Sequence, residues 1–454
     1  EHDRLTGDHL YDVDHPEVVA RREDVGISGA VLLSARDFEL ALAGIDQARY
    51  YAHPGGGVAQ HAPFALAGYW TVAQRRGLRL EQLTGTGQAD LFLTYVGCPP
   101  LEQIPPAAAL SINCDIVEFT AEHLPRWVPI SMAAYNGADS GLNAYQELAA
   151  LLAACVDHLE EVRRRGRVPL EHLAHALGGV SFRVGMDFFE DIAKLRVARK
   201  MWHDLLAGRF GITDERALRL RIHIVTAGSA MTYQEPINNV VRGTLMGLAA
   251  VLGGVQSMGI SAYDEALSVP SEQAHQQSVR IQQILLHETN VAAVADPLGG
   301  SYYLEALGAE LEDRAWACFE DIQARGGFVA CLESGHLQRL AADNQLALED
   351  AVASGERGIV GVNVAPSDHD PFGIDGFPGA PDAWERGMER LATLRAERDG
   401  RLVTQKLSEL ASACRGGGNV MAGVLAAVGA DATVGEIGDV FREVYGSWTF
   451  PVPF

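Results

Sequence analysis

The stretch Leu218–Gly243, "LRLRIHIVTAGSAMTYQEPINNVVRG", gives the first indication of the architecture. Its opening residues alternate between aliphatic side chains and mostly basic ones, which is the period-two pattern of a strand with two different faces. A strand buried on both faces of a parallel sheet would be almost wholly apolar. Arg219, Arg221 and His223 share one face. Either these side chains line an internal polar surface, or Arg219 and Arg221 lie near a strand end, solvated or paired with acids.

The composition limits the classes of function. At 454 residues the chain holds one large domain or roughly two to three ordinary ones, and 48% hydrophobic residues suffice for a core. The net charge of −23 argues against nucleic acid or a membrane surface as a partner. No signal peptide or apolar run of transmembrane length is visible. Six widely spaced cysteines without a C-x-x-C pair indicate the reducing cytoplasm.

Short apolar strands alternate with longer helical segments along the chain. Strands are predicted at 26–33, 125–135, 178–186, 218–225 and 255–261, and helices at 35–45, 62–77, 143–166, 188–208, 237–254 and 271–288, the last capped by Ser271. Repeated strand–helix units imply a parallel sheet with helices outside. Roughly 350 residues of such units favour a (β/α)₈ TIM barrel over an open sheet, within the α/β class.

Four predicted strands carry small or polar side chains on one face, whereas ordinary barrel interiors are packed with Val, Ile and Leu. These residues are Ser131, Ala133 and Tyr135; Ser181, Arg183 and Gly185; Arg221 and His223; and Ser257, Gly259 and Ser261. A barrel lined in this way is open along its axis. It can admit a long, partly polar ligand.

Several long motifs follow one another in an order that can be recognised. They are "YDVDHPEVV", "LTGTGQAD", "DFFEDIAKLRVAR", the stretch quoted above, "AYDEAL", "DPLGGSYYLE" and "GVNV". Together they resemble the large, barrel-bearing subunit of adenosylcobalamin-dependent acyl-CoA mutases, the family of methylmalonyl-CoA and isobutyryl-CoA mutases. The resemblance implies a barrel over residues 1–365, with its first strand missing or supplied elsewhere. A mostly helical C-terminal extension over residues 366–454 would precede a cobalamin domain in single-chain relatives.

The resemblance also implies a reaction and its partners. It implies a radical 1,2-rearrangement of the carbon skeleton of an acyl thioester, linked to CoA or to a carrier protein, with adenosylcobalamin as cofactor. In the family an Asp-x-His-x-x-Gly loop supplies the cobalt ligand, and "SDHDPFG" at 367–373 lacks that spacing. We therefore expect no metal ligand in this chain, a separate small cobalamin-binding subunit, and a homo- or hetero-oligomer.

Position by position, the resemblance implies a role for each of several residues. Tyr135, Asn136 and His223 fall at catalytic positions; Thr86, Gln88, Cys98, Ser181 and Ser261 at substrate positions; and Ser28, Asp139 and Glu265 at positions that face the cofactor. His223 would contact the thioester. Asp139 and Glu265 would accept hydrogen bonds from the adenosyl ribose.

The departures from the family pattern concern the substrate. Asn136 replaces a histidine, so it can donate a hydrogen bond but cannot titrate near pH 7. Cys98 falls near the arginine that pairs with the methylmalonyl carboxylate, which would leave that carboxylate without its bidentate partner. Gly259 and Ser261 stand in "GIS" where the family has His-Thr-Asn, and the family's N-terminal arm is not found. These changes predict a substrate other than methylmalonyl-CoA.

A non-catalytic scaffold subunit is the alternative interpretation. Some mutases of the family pair an active barrel with an inactive one, and the changes at Asn136 and Cys98 suit such a role. The cofactor-side residues of an inactive subunit should also have changed. Because Asp139 and Glu265 keep acidic side chains, the sequence favours an enzyme.

Overall fold

The computed structural model describes residues 2–97, 102–367 and 379–451, which divide into two compact units. Unit 1 contains the described residues of Glu1–Ser131, His158–Ala176 and Pro378–Pro451, and unit 2 contains those of Met132–Asp157 and Leu177–Phe377. Cys98 and all but the first residue of "SDHDPFG" lie outside the described residues. Within the described ranges, no helix is both long enough and apolar enough to span a membrane.

Helices dominate, and short parallel strands lie between them in the chain. The strands are β1 (Gly85–Thr86), β2 (Trp127–Val128), β3 (Gly179–Val184), β4 (Arg221–Thr226) and β5 (Ser257–Gly259). The helices are α1 (Arg4–Gly7), α2 (Pro16–Ala20), α3 (Ala35–Ala41), α4 (Ala62–Arg75), α5 (Pro106–His123), α6 (Tyr135–Asp139), α7 (Ala144–Arg165), α8 (Leu170–Leu177), α9 (Phe188–Phe210), α10 (Glu215–Leu218), α11 (Asn238–Leu252), α12 (Glu272–His287), α13 (Tyr302–Ala324), α14 (Phe328–Glu333), α15 (His336–Ser354), α16 (Ala383–Glu397), α17 (Gly400–Gly416), α18 (Val420–Gly429) and α19 (Val434–Tyr445). Single turns of 3₁₀-helix lie at Arg22–Asp24, Leu80–Gln82, Gly228–Ala230 and Val291–Ala293, and a π-helical turn at Leu93–Gly97. The α/β class is confirmed, whereas the closed eight-stranded barrel stays a prediction.

The core of unit 1 is built around α4. Every residue of this helix from Ala62 to Ala73 is buried, as expected for an alanine-rich, largely apolar segment. Gly68 provides the space for the ring of Phe38, because a Cβ at this glycine would lie 2.3 Å from Phe38 Cε2. The helix ends at Arg75, two residues before Gly77, the last residue of the predicted helix, whose φ of +78° suits glycine.

The sheet of unit 2 confirms the two faces predicted for the opening stretch. β3, β4 and β5 pair in parallel in that order. Along β4, Ile222, Ile224 and Thr226 are buried, while the residues between them are half-exposed. α11 contacts β3 and β4. The alternation of side chains along β4 therefore corresponds to one face packed in the core and one polar face.

The start of that strand was predicted too early. Leu218 belongs to α10, which begins at the N-cap Asp214, whose side chain accepts a hydrogen bond from the Arg216 amide. Arg219 follows the helix and pairs with Glu215 at 3.5 Å, with both side chains mostly exposed. For Arg219, the solvated and paired alternative is therefore the correct one.

Two other strand predictions need correction. Residues 26–29 form turns and bends, Ala30 forms a single bridge with His2, and the positive φ of Gly26 (+82°) turns the chain where the strand was predicted to begin. In the segment 125–135, only β2 and a bridge between Met132 and Val180 are formed. The six predicted helices correspond to α3, α4, α7, α9, α11 and α12, and Ser271 caps α12 as expected by accepting from the Ala274 amide.

Candidate functional site

The half-exposed face of the β3–β4–β5 sheet carries a row of three polar side chains. The strand register places Ser181 beside His223, and His223 beside Ser257. His223 Nδ1 and Ser257 Oγ are 2.8 Å apart and share a hydrogen bond. A Cβ added at Gly259 would lie 3.8 Å from His223 Nε2. The glycine therefore leaves space beside the second ring nitrogen.

Burial sets the protonation state of His223. Desolvation lowers its pKa from the ordinary value of 6.5, because a low-dielectric environment disfavours the imidazolium. The ring is therefore neutral at pH 7, with one nitrogen donating and the other accepting. Because Ser257 occupies Nδ1, Nε2 is the nitrogen available to a substrate oxygen.

An ion pair lies further along the same face and joins three segments of unit 2. Arg183 Nε donates to Asp139 Oδ1 at 3.2 Å, and Arg183 Nη2 donates to Ser229 Oγ at 3.3 Å. Ser229 Oγ in turn donates to Asp139 Oδ1 at 2.6 Å. The sequence places Arg183 on the lining face, but no local pattern pairs it with an acid 44 positions away.

The two predicted cofactor-side acids converge on Gly228, in the 3₁₀ turn after β4. A Cβ added at Gly228 would lie 3.3 Å from Asp139 Oδ2, 3.5 Å from Glu265 Cγ and 3.7 Å from Glu265 Oε1. Asp139 ends α6, and Glu265 lies in the turn after β5. Carboxylates accept hydrogen bonds, and the hydroxyls of a ribose can donate them. These acids therefore fit the adenosyl group that the resemblance implies.

A cluster of buried charges, which the sequence analysis did not predict, holds the end of β3. Lys194 Nζ lies 2.7 Å from Glu147 Oε2 and 2.8 Å from Asp191 Oδ1, and all three side chains are at most 6% exposed. Burial alone would lower the pKa of Lys194, but the two carboxylates raise it. The ammonium group therefore stays charged in the interior. The spacing of Asp191 and Lys194 on one helix could have suggested that pair, whereas Glu147 is far away in sequence.

The same cluster binds backbone groups of β3. The Arg183 amide donates to Glu147 Oε1 at 2.8 Å, and Lys194 Nζ donates to the Arg183 carbonyl at 2.5 Å. The Gly185 amide donates to Asp191 Oδ2 at 2.7 Å. The ion cluster therefore fixes the backbone from which Arg183 reaches the polar face.

Two predicted site residues bond to the backbone of their own unit. Asn136, which is buried in α6 next to the half-buried Tyr135, donates from Nδ2 to the Ala133 carbonyl at 3.3 Å. The Ser261 hydroxyl donates to the Thr226 carbonyl at 2.8 Å. Ser261 therefore has a local structural role, in addition to any contact with a substrate.

The remaining predicted site residues that the structure describes, Thr86, Gln88 and Ser28, belong to unit 1. Thr86 lies in β1 and donates from Oγ1 to the Gly87 carbonyl at 3.0 Å. The Gln88 carbonyl accepts from the Ser131 amide at 3.1 Å. A Cβ added at Gly57 would lie 3.7 Å from Gln88 Oε1. Thr86 and Gln88 are thus neighbours in one half-buried segment of this unit.

Ser28 lines a surface cavity of about 400 Å³ in unit 1. Its hydroxyl accepts a hydrogen bond from the Arg4 amide at 2.9 Å. Arg4, Arg21 and His9 also line the cavity, together with Asp8 and Asp24. The predicted cofactor-facing loop is therefore polar and open, and both signs of charge border it.

Known proteins are similar in sequence to this chain over nearly its whole length. The pattern of the methylmalonyl-CoA mutase family matches residues 4–447. The 2-hydroxyisobutanoyl-CoA mutase large subunit of Aquincola tertiaricarbonis is 34% identical over 446 residues, which are 96% of this chain and 77% of that protein. Methylmalonyl-CoA mutases of Rhizobium meliloti (strain 1021) and Escherichia coli (strain K12) are 33% and 32% identical over 97% of this chain.

These matches define the class of protein. The chain belongs to the methylmalonyl-CoA mutase family. The relatives to which it is similar are CoA mutases, which are cobalamin-dependent isomerases. It spans 60% of the length of each of the two methylmalonyl-CoA mutases. The resemblance found in the sequence motifs is confirmed.

Proposed function

We propose that this chain is the large subunit of a split adenosylcobalamin-dependent mutase, acting on an acyl thioester other than methylmalonyl-CoA. The observation that carries the proposal is the convergence of Asp139 and Glu265 on Gly228, in the same unit as the row of Ser181, His223 and Ser257. A relative named as a large subunit supports a division of the enzyme into two chains. The partner would be a small subunit that supplies the cobalt ligand.

The proposed architecture is a (β/α)₈ barrel over residues 1–365 that is open along its axis, followed by a helical extension over 366–454. The parallel register of β3, β4 and β5 and the half-exposed polar face of β4 support it. A thioester arm along the axis would meet small and polar side chains. Such a lining suits a flexible chain that carries amide groups.

The residues of this chain would bind, orient and shield the reacting groups. When bound, adenosylcobalamin supplies the radical that removes a substrate hydrogen, which is chemistry that protein side chains lack. Asp139 and Glu265 would accept hydrogen bonds from the ribose. Neutral His223 would donate from Nε2 to the thioester carbonyl and hold it beside Ser181. Tyr135 would shield the acyl group from water, with Thr86, Gln88, Cys98 and Ser28 in the roles that the family implies.

A scaffold subunit without activity is the second candidate. Two observations favour it, since Asn136 and Ser261 both donate to backbone carbonyls of their own unit. A scaffold would need no acids for the ribose, and no binding of adenosine would be expected. Binding at Gly228 therefore separates the two candidates.

The test measures binding and turnover separately. Adenosine, as a probe of the ribose site, and isobutanoyl-CoA, as a probe of the thioester site, are titrated into the full chain by calorimetry. Turnover is measured with adenosylcobalamin and a small subunit that carries an Asp-x-His-x-x-Gly loop, and the isomeric product is separated by chromatography. We expect both probes to bind, and turnover to require the small subunit.

Matched variants make the test specific. Glu265→Ala should weaken adenosine binding and leave isobutanoyl-CoA binding unchanged, whereas His223→Ala should do the reverse. Glu349→Ala, at an exposed position on α15, is the control and should change neither. If Glu265→Ala and Glu349→Ala behave alike, the acids at Gly228 do not hold the cofactor and the scaffold interpretation is preferred.

A further inference from the structure

Arg183 occupies a position that links the His223 row to the pair of acids. It lies in the next row of the same polar face, beside Val225, and two residues beyond Ser181 on β3. At about 3.3 Å per residue, this step moves it roughly 6.6 Å along the strand. Its side chain contacts Asp139. In a mutase, this is where the acyl group would lie, between the thioester carbonyl and the adenosyl ribose.

Buried charged side chains fix the backbone of Arg183. Its amide and its carbonyl both bond to buried charged side chains, those of Glu147 and Lys194. Asp191 holds the amide of Gly185, two residues further on. Groups fixed in advance lose little entropy when a ligand binds, so this position suits selective recognition.

One N–H edge of the Arg183 guanidinium group has no acceptor among the described residues. Nε and Nη2 bond to Asp139 and Ser229, while no described residue accepts from Nη1. A Cβ added at Gly185 would lie 2.8 Å from Nη1, so the glycine makes room for this nitrogen. The Arg183 side chain is 27% exposed. Because arginine carries five N–H donors, one edge remains available to an acceptor oxygen.

The surrounding charges decide which acceptor fits. Asp139 pairs with the guanidinium group and neutralises its charge. The histidine of the polar row is neutral, so the Arg183–Asp139 pair leaves little net positive charge on this face. A carboxylate on the acyl group would be repelled here, whereas a neutral hydroxyl oxygen would only accept a hydrogen bond.

We propose that Arg183 donates through Nη1 to a hydroxyl oxygen of the acyl group, so that the site selects hydroxyacyl thioesters over carboxyacyl thioesters. This inference rests on the proposed function, because it needs a thioester beside His223. It assigns to Arg183 a specificity role that its pairing with Asp139 would otherwise conceal.

The test compares three thioesters on the full chain by calorimetry: 2-hydroxyisobutanoyl-CoA, isobutanoyl-CoA and methylmalonyl-CoA. The hydroxyacyl thioester should bind about tenfold tighter than isobutanoyl-CoA, which corresponds to about 1.4 kcal/mol. Methylmalonyl-CoA should bind no tighter than isobutanoyl-CoA. Arg183→Met should abolish the preference for the hydroxyl group, so that 2-hydroxyisobutanoyl-CoA and isobutanoyl-CoA bind equally tightly. Asp139→Asn should strengthen methylmalonyl-CoA binding, because one repelling carboxylate is lost.

A second variant keeps the test decisive if Arg183→Met fails to fold. Gly185→Ala displaces Nη1 while it keeps the positive charge, so it should reduce the preference in the same direction. Gly208→Ala, at a helical glycine with no atom within 4 Å of the added Cβ, is the matched control.

The outcomes separate this inference from the proposed function. If isobutanoyl-CoA binds but the hydroxyl group brings no gain, or if Arg183→Met and Gly185→Ala both keep the gain, the role of Arg183 is overturned and the thioester site stands. If none of the three thioesters binds the wild-type chain, the proposed function fails, and this inference fails with it.

Discussion

Removing the ammonium group of Lys194 should destabilise unit 2 strongly and locally. Lys194→Met leaves Glu147 and Asp191 buried without a cation, since their side chains are 0% and 6% exposed. Breaking a buried ion pair by removing one partner costs about 3–5 kcal/mol, because the remaining charge is uncompensated. We expect a loss of that size in the free energy of unfolding of this unit at pH 7.5.

Hydrogen exchange followed by mass spectrometry gives a local measurement. The amides of Arg183 and Gly185 donate to Glu147 and Asp191, so a peptide that spans 179–187 should exchange much faster in Lys194→Met. Lys200→Met on the same helix is the control. Its ion pairs with Asp204 and Glu312 lie at the surface, where the Lys200 side chain is 58% exposed, and such surface pairs contribute at most about 1 kcal/mol each.

The stability deficit of Lys194→Met should depend on pH, and the pKa of Glu147 gives its direction. Burial raises the pKa of Glu147 above its ordinary 4.5, even beside Lys194. In Lys194→Met the folded state should therefore take up a proton at a pH where the unfolded state does not, and its deficit should shrink as the pH falls toward 4.5. If Lys194→Met and Lys200→Met show equal exchange and equal stability at pH 7.5, the buried cluster is not the anchor of β3.

Three further predictions concern local contacts. Gly68→Ala should lower the stability of unit 1 by about 1–3 kcal/mol, because its Cβ would lie 2.3 Å from Phe38 Cε2; equal thermal midpoints for this variant and Gly208→Ala would contradict the packing argument. Ser271→Ala should cost about 1 kcal/mol by removing the N-cap of α12, seen as faster exchange of the first turn, whereas an unchanged first turn would show that the cap contributes nothing. The pKa of His223, measured by NMR, should lie below 6.5 because burial disfavours its charge. The stability that it contributes is complete above pH 6.5 and is lost as the pH falls through the folded-state pKa; a measured value at or above 6.5 would contradict this.

Local sequence was enough for the elements with strong periodicity. The alternation around Ile222 and Ile224 predicted a strand with one core face and one polar face, and the register confirms that Ser181, His223 and Ser257 share the polar face. The capped, largely apolar helices were found because their signals are local, as Ser271 and Gly77 illustrate. The family followed from motifs that lie in one order along the chain.

Local sequence failed where the backbone conformation depends on a single residue. The apolar run at 26–33 looks like a strand, but a positive φ at Gly26 turns the chain. At the start of β4, the cap at Asp214 begins a helical turn that includes Leu218, so the strand starts at Arg221, three residues later than the alternating pattern predicts. Periodicity cannot register either event, because both depend on one backbone angle or one hydrogen bond.

By itself, the sequence determined which residues share a face, and so which side chains could line a site. Only the tertiary structure decided which partners those side chains contact. Arg183 pairs with Asp139, and Lys194 pairs with Glu147, each across tens of residues. The physical reason is that a buried or half-buried charge is stable only beside a partner, and the partner is brought there by the packing of distant segments.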